Sequence, residues 1–322
     1  MRILIGALVG ALLSCLALTG SAQTDYPNRP IRIVIGYGPG ASTDIAIRTI
    51  ADKLSQRLGQ PVIVDNKPGA TGMISAQTVA RAPADGYTLV SFNPDLAGVV
   101  PALYKIAPYD PLKDFAFIGR IMRNSGWIVA VNPSVPAKSL DEFIKLAKSA
   151  PNSLNYGSYG IGSLAHLHFE ALKRKTGIEM VHVPYKGGAL SYQGAIGGEV
   201  QIVIGTSFIE LLRSGRLRPI AIGGAIRSPL FPDIPSLAEM GLGDQIFGEV
   251  YLGLAAPAGT PPAIVQRLSA ELKEVIAMPD VAQKLGQFGD PAYASPDAFT
   301  AIVQRDFNLY GPLVRSLGLN TQ

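Results

Sequence analysis

The stretch IRIVIGYGPGASTDIAIRTI, residues 31–50, places an apolar run before an amphipathic one and separates them with a turn of glycine, proline and small residues. Residues 31–35 read as a buried strand. Residues 42–58 read as a helix whose apolar positions are Ile45, Ile47, Ile50, Ala51, Leu54 and Leu58, with Gly59 as its stop. A strand feeding a helix through such a turn is half of a crossover unit, and the rest of the chain supplies the partners. Residues 62–64 and 87–91 are further apolar strands, with a helix predicted over 72–81 between them. That alternation makes a parallel sheet with crossover helices.

The pattern returns with different punctuation. Strands are predicted at 127–131, 154–156, 180–183, 200–204 and 219–222, and helices at 139–149, 163–176 and 189–196. The tail adds a strand at 250–256 and helices at 261–277 and 296–317. Two α/β lobes are the natural inference. With 322 residues, 48% of them hydrophobic and only 16% charged, the chain can bury a sizeable core in each.

Residues 1–22 read as a leader. Arg2 gives a positive start, an apolar run follows, and Gly20-Ser21-Ala22 offers a small-residue cleavage site. Cutting after Ala22 removes the only cysteine, Cys15, and takes the net charge from +4 to +3 by removing Arg2. Leu12-Leu13-Ser14-Cys15 is a weak match to a lipoprotein box, with Leu13 atypical for its place. In either form the exported chain has neither a disulfide framework nor thiol chemistry. So small a positive charge, with no basic clusters interleaved with aromatics, argues against a nucleic-acid partner. Lys173-Arg174-Lys175 before Gly177 is the solvated, cation-rich end of a helix.

Four loops join strand ends to helix starts: 36–44, 66–73, 157–163 and 185–189. Glycine in them allows positive φ and close approach to the backbone, and helix-start amides favour an anion. Ligands of open α/β sheets sit at such strand ends. Gly36, Gly38 and Ala41 satisfy a dinucleotide fingerprint, with Asp65 at about ribose-binding distance. Against it stand the broken Pro39-Gly40 turn, a second glycine loop directly after Asp65, and export. The mature chain has only His166, His168 and His182, no cysteine and no G-x-S-x-G elbow, so a hydrolase triad has no anchor. His166 and His168 lie two apart on a helix and point to different faces, which does not suit a metal pair.

The segments YPNRPIRIVIGYGPGASTD, VIVDNKPGATGMISAQTVARAPADGYTL, NYGSYGIGSLAHL, VPYKGGA, FPDIPSLAEMG and LAAPAGTPPAIVQRL, in that order, resemble the successive signatures of Bug-type solute-binding proteins of tripartite tricarboxylate transporters. The resemblance runs from about residue 26 to 317. It implies a type II periplasmic-binding-protein fold, with two doubly wound α/β lobes joined by crossing hinge strands near 120–127 and 247–252. Lobe one would comprise 23–123 plus 250–322, and lobe two 124–249. Closure of the lobes would enclose a small mono-, di- or aromatic carboxylate for delivery to a tripartite tricarboxylate-type permease in the membrane. The resemblance further implies a periplasmic monomer with no cofactor, no metal and no catalytic residue.

Carried over from the family, the first-lobe contacts would be Tyr37, Gly40, Ala41, Ser42, Gly69, Ala70 and Thr71. Gly162, Ser163, His166 and Tyr185 would meet the ligand's other end. Asp44 matches an acidic position whose simpler role is to satisfy the free amides of its helix. Tyr37 and Ser42 stand where phenylalanine and glycine are common, and Gln201 where an acid is usual. If position 201 faces the ligand, its neutral amide disfavours an amino group and favours a plain carboxylate. A sensory binding protein and an exported carboxylate-processing enzyme are the alternative classes.

Overall fold

The computed structural model describes residues 26–319 apart from 125, 207, 224–225, 229 and 243–248. The expected leader, with Cys15 and the cleavage site, lies outside the described residues.

The opening stretch folds as read. β1 (Ile31–Ile35) is buried on both faces, and α1 (Ser42–Leu58) covers it with Ile47, Ile50, Ala51, Leu54 and Leu58. Gly59 ends α1 in the left-handed region at φ 67°, its N–H donating to the Ser55 carbonyl. Ile45, expected on that apolar face, is instead 42% exposed and lines the cavity between the two sheets. β2 (Val62–Asn66), α2 (Met73–Ala80) and β3 (Thr88–Phe92) follow, and β1 pairs in parallel with both β2 and β3.

Beyond β3 the sheet is no longer parallel. β4 (Phe115–Asn124) and β10 (Val250–Pro257) pair with each other antiparallel, and β11 (Asp290–Ala294) runs antiparallel to β4 at the edge. The six-stranded order is β11-β4-β10-β3-β1-β2. The second sheet is β7 (Val181–Pro184), β6 (Asn155–Ser158), β8 (Ile202–Gly205), β5 (Trp127–Val131) and β9 (Arg218–Gly223) in that order. Here β6 is parallel to β7 and β8, while β5 is antiparallel to β8 and β9. The strands by which the chain enters each sheet from the other, β10 and β5, run against its parallel strands, and the edge strand β11 is reversed as well. A strand arriving from the far lobe has no crossover helix to bring it in parallel.

Two crossings connect the sheets. β4 passes to β5 through residues 125–126, where the Asn124 side chain donates to the Thr206 and Phe288 carbonyls and accepts from the Gly126 amide. The return runs from β9 to β10. At its end Glu249 accepts from Arg120 at 2.6 Å, and Arg120 also donates to the Ala292 carbonyl, pinning the two crossing strands together.

The helices α4 (Leu140–Ser149), α5 (Leu164–Thr176), α6 (Gly188–Gly197) and α7 (Ile209–Arg213) belong to the second sheet's part of the chain, and α8 (Pro262–Ile276), α9 (Pro279–Leu285) and α10 (Pro296–Ser316) follow β10. Ser139 caps α4 and Ser163 caps α5 through their hydroxyls. A π-helical turn over Asp95–Val99 leads into α3 (Val100–Leu103), a segment without a clear period in the sequence. Val99 and Leu103 pack in the core of the second sheet although they follow β3 of the first. The last helix is shared likewise: Phe299 and Val303 lie in a core of the first sheet, Tyr310 and Val314 in a core of the second.

Candidate functional site

A cavity of about 600 Å³ lies between the two sheets. Its first wall is the turn 37–43 with the start of α1. The turn sits deep because Gly36 lies on Gly72: a methyl at Gly36 would overlap the Gly72 Cα. Gly40 takes φ 81°, where a side chain would be strained, and its N–H donates to Asp44 Oδ2 at 2.9 Å. Asp44 is buried. Burial alone would raise its pKa, but the bonds from Arg48, Asn66 and the Gly40 amide outweigh that and hold it below the usual carboxylate range. Asn66 in turn donates to the Tyr37 carbonyl.

Asp44 therefore braces the turn from behind rather than capping its own helix. α1 has no side-chain cap, and among the described residues the amides of Ser42, Thr43 and Asp44 have no hydrogen-bond partner. Such amides at a helix start, on a cavity wall, suit an anion.

The second wall comes from the Lys186–Leu190 stretch with Tyr192, Gly205 and Thr206. α6 also lacks a side-chain cap, its N-cap being Gly187. Beside the crossings the lining mixes apolar Met122, Trp127, Leu252 and Phe288 with Asn124 and Tyr251. Among the described residues, Lys186 and Asp95 are the only lining side chains of the Asp, Glu, Lys and Arg types.

Asp95 is engaged from both lobes. Its Oδ1 accepts from the Leu164 amide at the start of α5 at 2.7 Å, and its Oδ2 accepts from the Tyr37 hydroxyl at 3.1 Å. Tyr159 donates to the same carboxylate. Burial pushes the Asp95 pKa up to about 7 against these three bonds. A second interlobe bond runs beside it, from the Thr71 hydroxyl to the Ile161 carbonyl at 2.7 Å.

Of the expected contacts, the structure brings Tyr37, Gly40, Ala41 and Ser42 together on the cavity wall. Gly69, Ala70 and Thr71 lie in the neighbouring loop, off the lining, where Thr71 bonds across the lobes. Gly162 lies against Leu103, and Ser163 caps α5. His166 accepts from the Gly162 amide through Nδ1 and stacks on His182 at 4.1 Å. Burial lowers the pKa of both rings, that of His182 to about 4 with help from its neighbour. Tyr185 donates to Glu199 at 2.9 Å. His168, on the opposite side of α5 from His166, packs edge-on against Trp127 at 4.4 Å.

The Gln201 condition fails. Its amide accepts from the Asn155 N–H and donates to the Gly198 carbonyl, and it does not line the cavity. Sequence reasoning passed over Asn93, Asp95, Tyr159 and Lys186. Lys186 stands inside a quoted signature, VPYKGGA, yet as one lysine among many it carries no periodic or spacing signal.

The family profile described as the tripartite tricarboxylate transporter family receptor matches residues 46–319. A Cupriavidus necator protein described as the UPF0065 protein in the gbd 5′ region is 38% identical over 318 residues, covering 96% of this chain and 94% of that one. The periplasmic binding protein BugD has a TM-score of 0.84 at 28% identity, covering 92% and 100% of the two chains. The R. palustris protein Rpa4515, in a structure with adipate, has a TM-score of 0.83 at 31% identity, covering 91% and 98%. The two-lobed α/β architecture is thus that of periplasmic binding proteins, which bind solutes and are not enzymes. The chain belongs to the tripartite tricarboxylate transporter receptor family.

Proposed function

We propose that the chain is an extracytoplasmic solute-binding protein that captures a small carboxylate between its lobes and delivers it to a tripartite tricarboxylate-type permease. The observation that supports this most is the start of α1, where among the described residues the Ser42, Thr43 and Asp44 amides have no hydrogen-bond partner and Ser42 and Thr43 line the interlobe cavity. Buried carboxylate charge must be met by donors, and amides preset by folding meet it without ordering long side chains. The adipate in the R. palustris relative is a carboxylate of fitting size. In this reading residues 1–22 direct export to the periplasm and are cut after Ala22. The protein works as a monomer whose lobes, 23–123 plus 250–322 and 124–249, hinge at the two crossings.

A thermal-shift screen of the exported chain against carboxylates tests the reading. A ligand at a hundred times its Kd should add about 2.7 kcal/mol of apparent stability. Trp127, the sole tryptophan, lines the cavity and should change its emission with the same midpoint. Gly40→Phe should abolish both signals while costing about 1 kcal/mol of intrinsic stability through its positive φ. Absence of any shift or emission change across the screen would sink the assignment.

A further inference from the structure

We infer that Arg48, which lies outside the cavity, makes the start of α1 usable by an anion by cancelling the charge of Asp44 behind it. This rests on the carboxylate-binding reading above and adds to it a positioning residue on which the affinity depends.

The residue that supplies one of the three helix-start amides also carries an acid. The Asp44 N–H has no partner among the described residues, while its carboxylate lies behind the turn, its side chain only 4% exposed. Oδ2 accepts from the Gly40 amide and Oδ1 from the Asn66 side chain, both at 2.9 Å. Those two donors are neutral, so they fix the carboxylate in place without removing its charge. Against its burial, the bonds from Arg48, Asn66 and Gly40 hold its pKa below the usual carboxylate range, and at neutral pH it is ionised. An ionised acid so close to the helix-start amides repels any anion that would rest on them.

Arg48 is the counter-charge. Its Nε lies 3.0 Å from Oδ1 and 3.1 Å from Oδ2, and among the described residues no other cation pairs with Asp44. The same guanidinium donates from Nη2 to Asn66 Oδ1 at 2.8 Å, and Asn66 donates to the Tyr37 carbonyl, so the cation also ties the turn to the end of β2. None of Asp44, Arg48 and Asn66 lines the cavity. Arg48 is itself half exposed, and a pair of that kind adds little to folding. Its effect on a bound anion is larger, because the carboxylate it neutralises is buried and held at a fixed place beside the amides. With the acid cancelled, the positive end of α1 is left to act on the ligand.

Calorimetric titration of the exported chain with adipate, succinate and hexanoate separates charge from bracing. Arg48→Gln keeps a hydrogen-bond donor and removes the charge. Affinity should fall roughly tenfold to a hundredfold, the effect of an uncompensated unit charge about 6–12 Å away at the effective dielectric near a protein surface. Arg48→Lys keeps the charge without the planar fork and should retain most of the affinity. The double variant Asp44→Asn/Arg48→Gln lacks the acid as well as its counter-charge, and should regain most of what R48Q loses although it has fewer bracing bonds. All are compared at a temperature where their melting curves show them fully folded. A residue that only braced the turn would give the reverse order, with the double variant binding no better than R48Q. That order, or parent-like affinity in R48Q, overturns the inference and leaves carboxylate capture standing. If none of the three acids binds the parent chain, both readings fall together.

Discussion

Asp95→Ala is expected to lower stability at neutral pH by about 2–4 kcal/mol, because truncation leaves the Leu164 amide and two tyrosine hydroxyls buried without an acceptor. For a chain of this size that is a fall in melting temperature of roughly 3–6 °C. Asp95→Asn should behave differently. Its carbonyl oxygen still accepts from Leu164, its amide can donate to a tyrosine oxygen, and it has no charge to bury. The pH dependence separates the two effects. Burial raises the folded-state pKa of Asp95 to about 7, above its value in the unfolded chain. The folded state then holds its proton more tightly, so this group's contribution is full below about pH 4 and is lost as pH rises through 7. The neutral amide of the D95N variant makes no such contribution. Melting curves from pH 4 to 8 should show a shallower decline with rising pH for D95N than for the parent chain. Parallel curves for the two would mean that Asp95 is charged throughout that range and that its hydrogen bonds outweigh its burial.

Gly36→Ala should be nearly as costly and should act on binding as well. The added methyl would overlap the Gly72 Cα and lie 2.9 Å from the Ser75 hydroxyl. The nearer clash is with backbone, so no rotamer relieves it. Overpacking of this kind typically costs about 1–3 kcal/mol and moves main chain. What moves is the start of the turn that carries Tyr37, Gly40, Ala41 and Ser42. Carboxylate affinity should therefore fall by more than the stability loss explains, measured by titration at a temperature where the variant is fully folded. Gly38→Ala is the natural control, because a methyl there meets nothing within 4 Å. A variant at Gly36 with normal affinity would show that the turn tolerates displacement and that its amides are not the anion's seat.

Much of this was legible in the sequence because it depends on local signals. β1, α1 and the Gly59 stop follow from hydrophobic period and one glycine, and α4 and α5 begin within a residue of the starts expected at 139 and 163, although Ser163, expected as a ligand contact, is the cap of α5. What escaped is governed by tertiary context. β4 carries Gly119, Arg120 and Arg123 through an otherwise apolar run; Gly119 lies against the Ala294 carbonyl and Arg120 is neutralised by Glu249, both supplied from far along the chain. β11 holds an aspartate and a proline, tolerable on an edge strand paired only to β4. α9 is short, and the turn at Asp95–Val99 owes its shape to Gly98, packed on the Asp306 carbonyl and Tyr310.

The site divides the same way. The glycine loop of the first lobe announces itself, as does its place at a strand end. Asp95 does not, since its importance lies in partners brought from far along the chain, Leu164 and Tyr159. The histidine rings are the reverse case: His166 drew notice in the sequence by its place beside a glycine loop, and in the fold it braces that loop by accepting from Gly162.

The last helix gives the molecule a property that neither sheet has alone. A single rod, Pro296–Ser316, seats Phe299 and Val303 in one core and Tyr310 and Val314 in the other. Loss of either core would strip the second of two large side chains, so the halves are thermodynamically coupled through this rod as well as through the two chain crossings. Calorimetry should give one cooperative endotherm rather than two, and amide exchange along the middle of this rod should be limited by global unfolding. Two separate transitions would mean that the rod detaches from one side before the other melts.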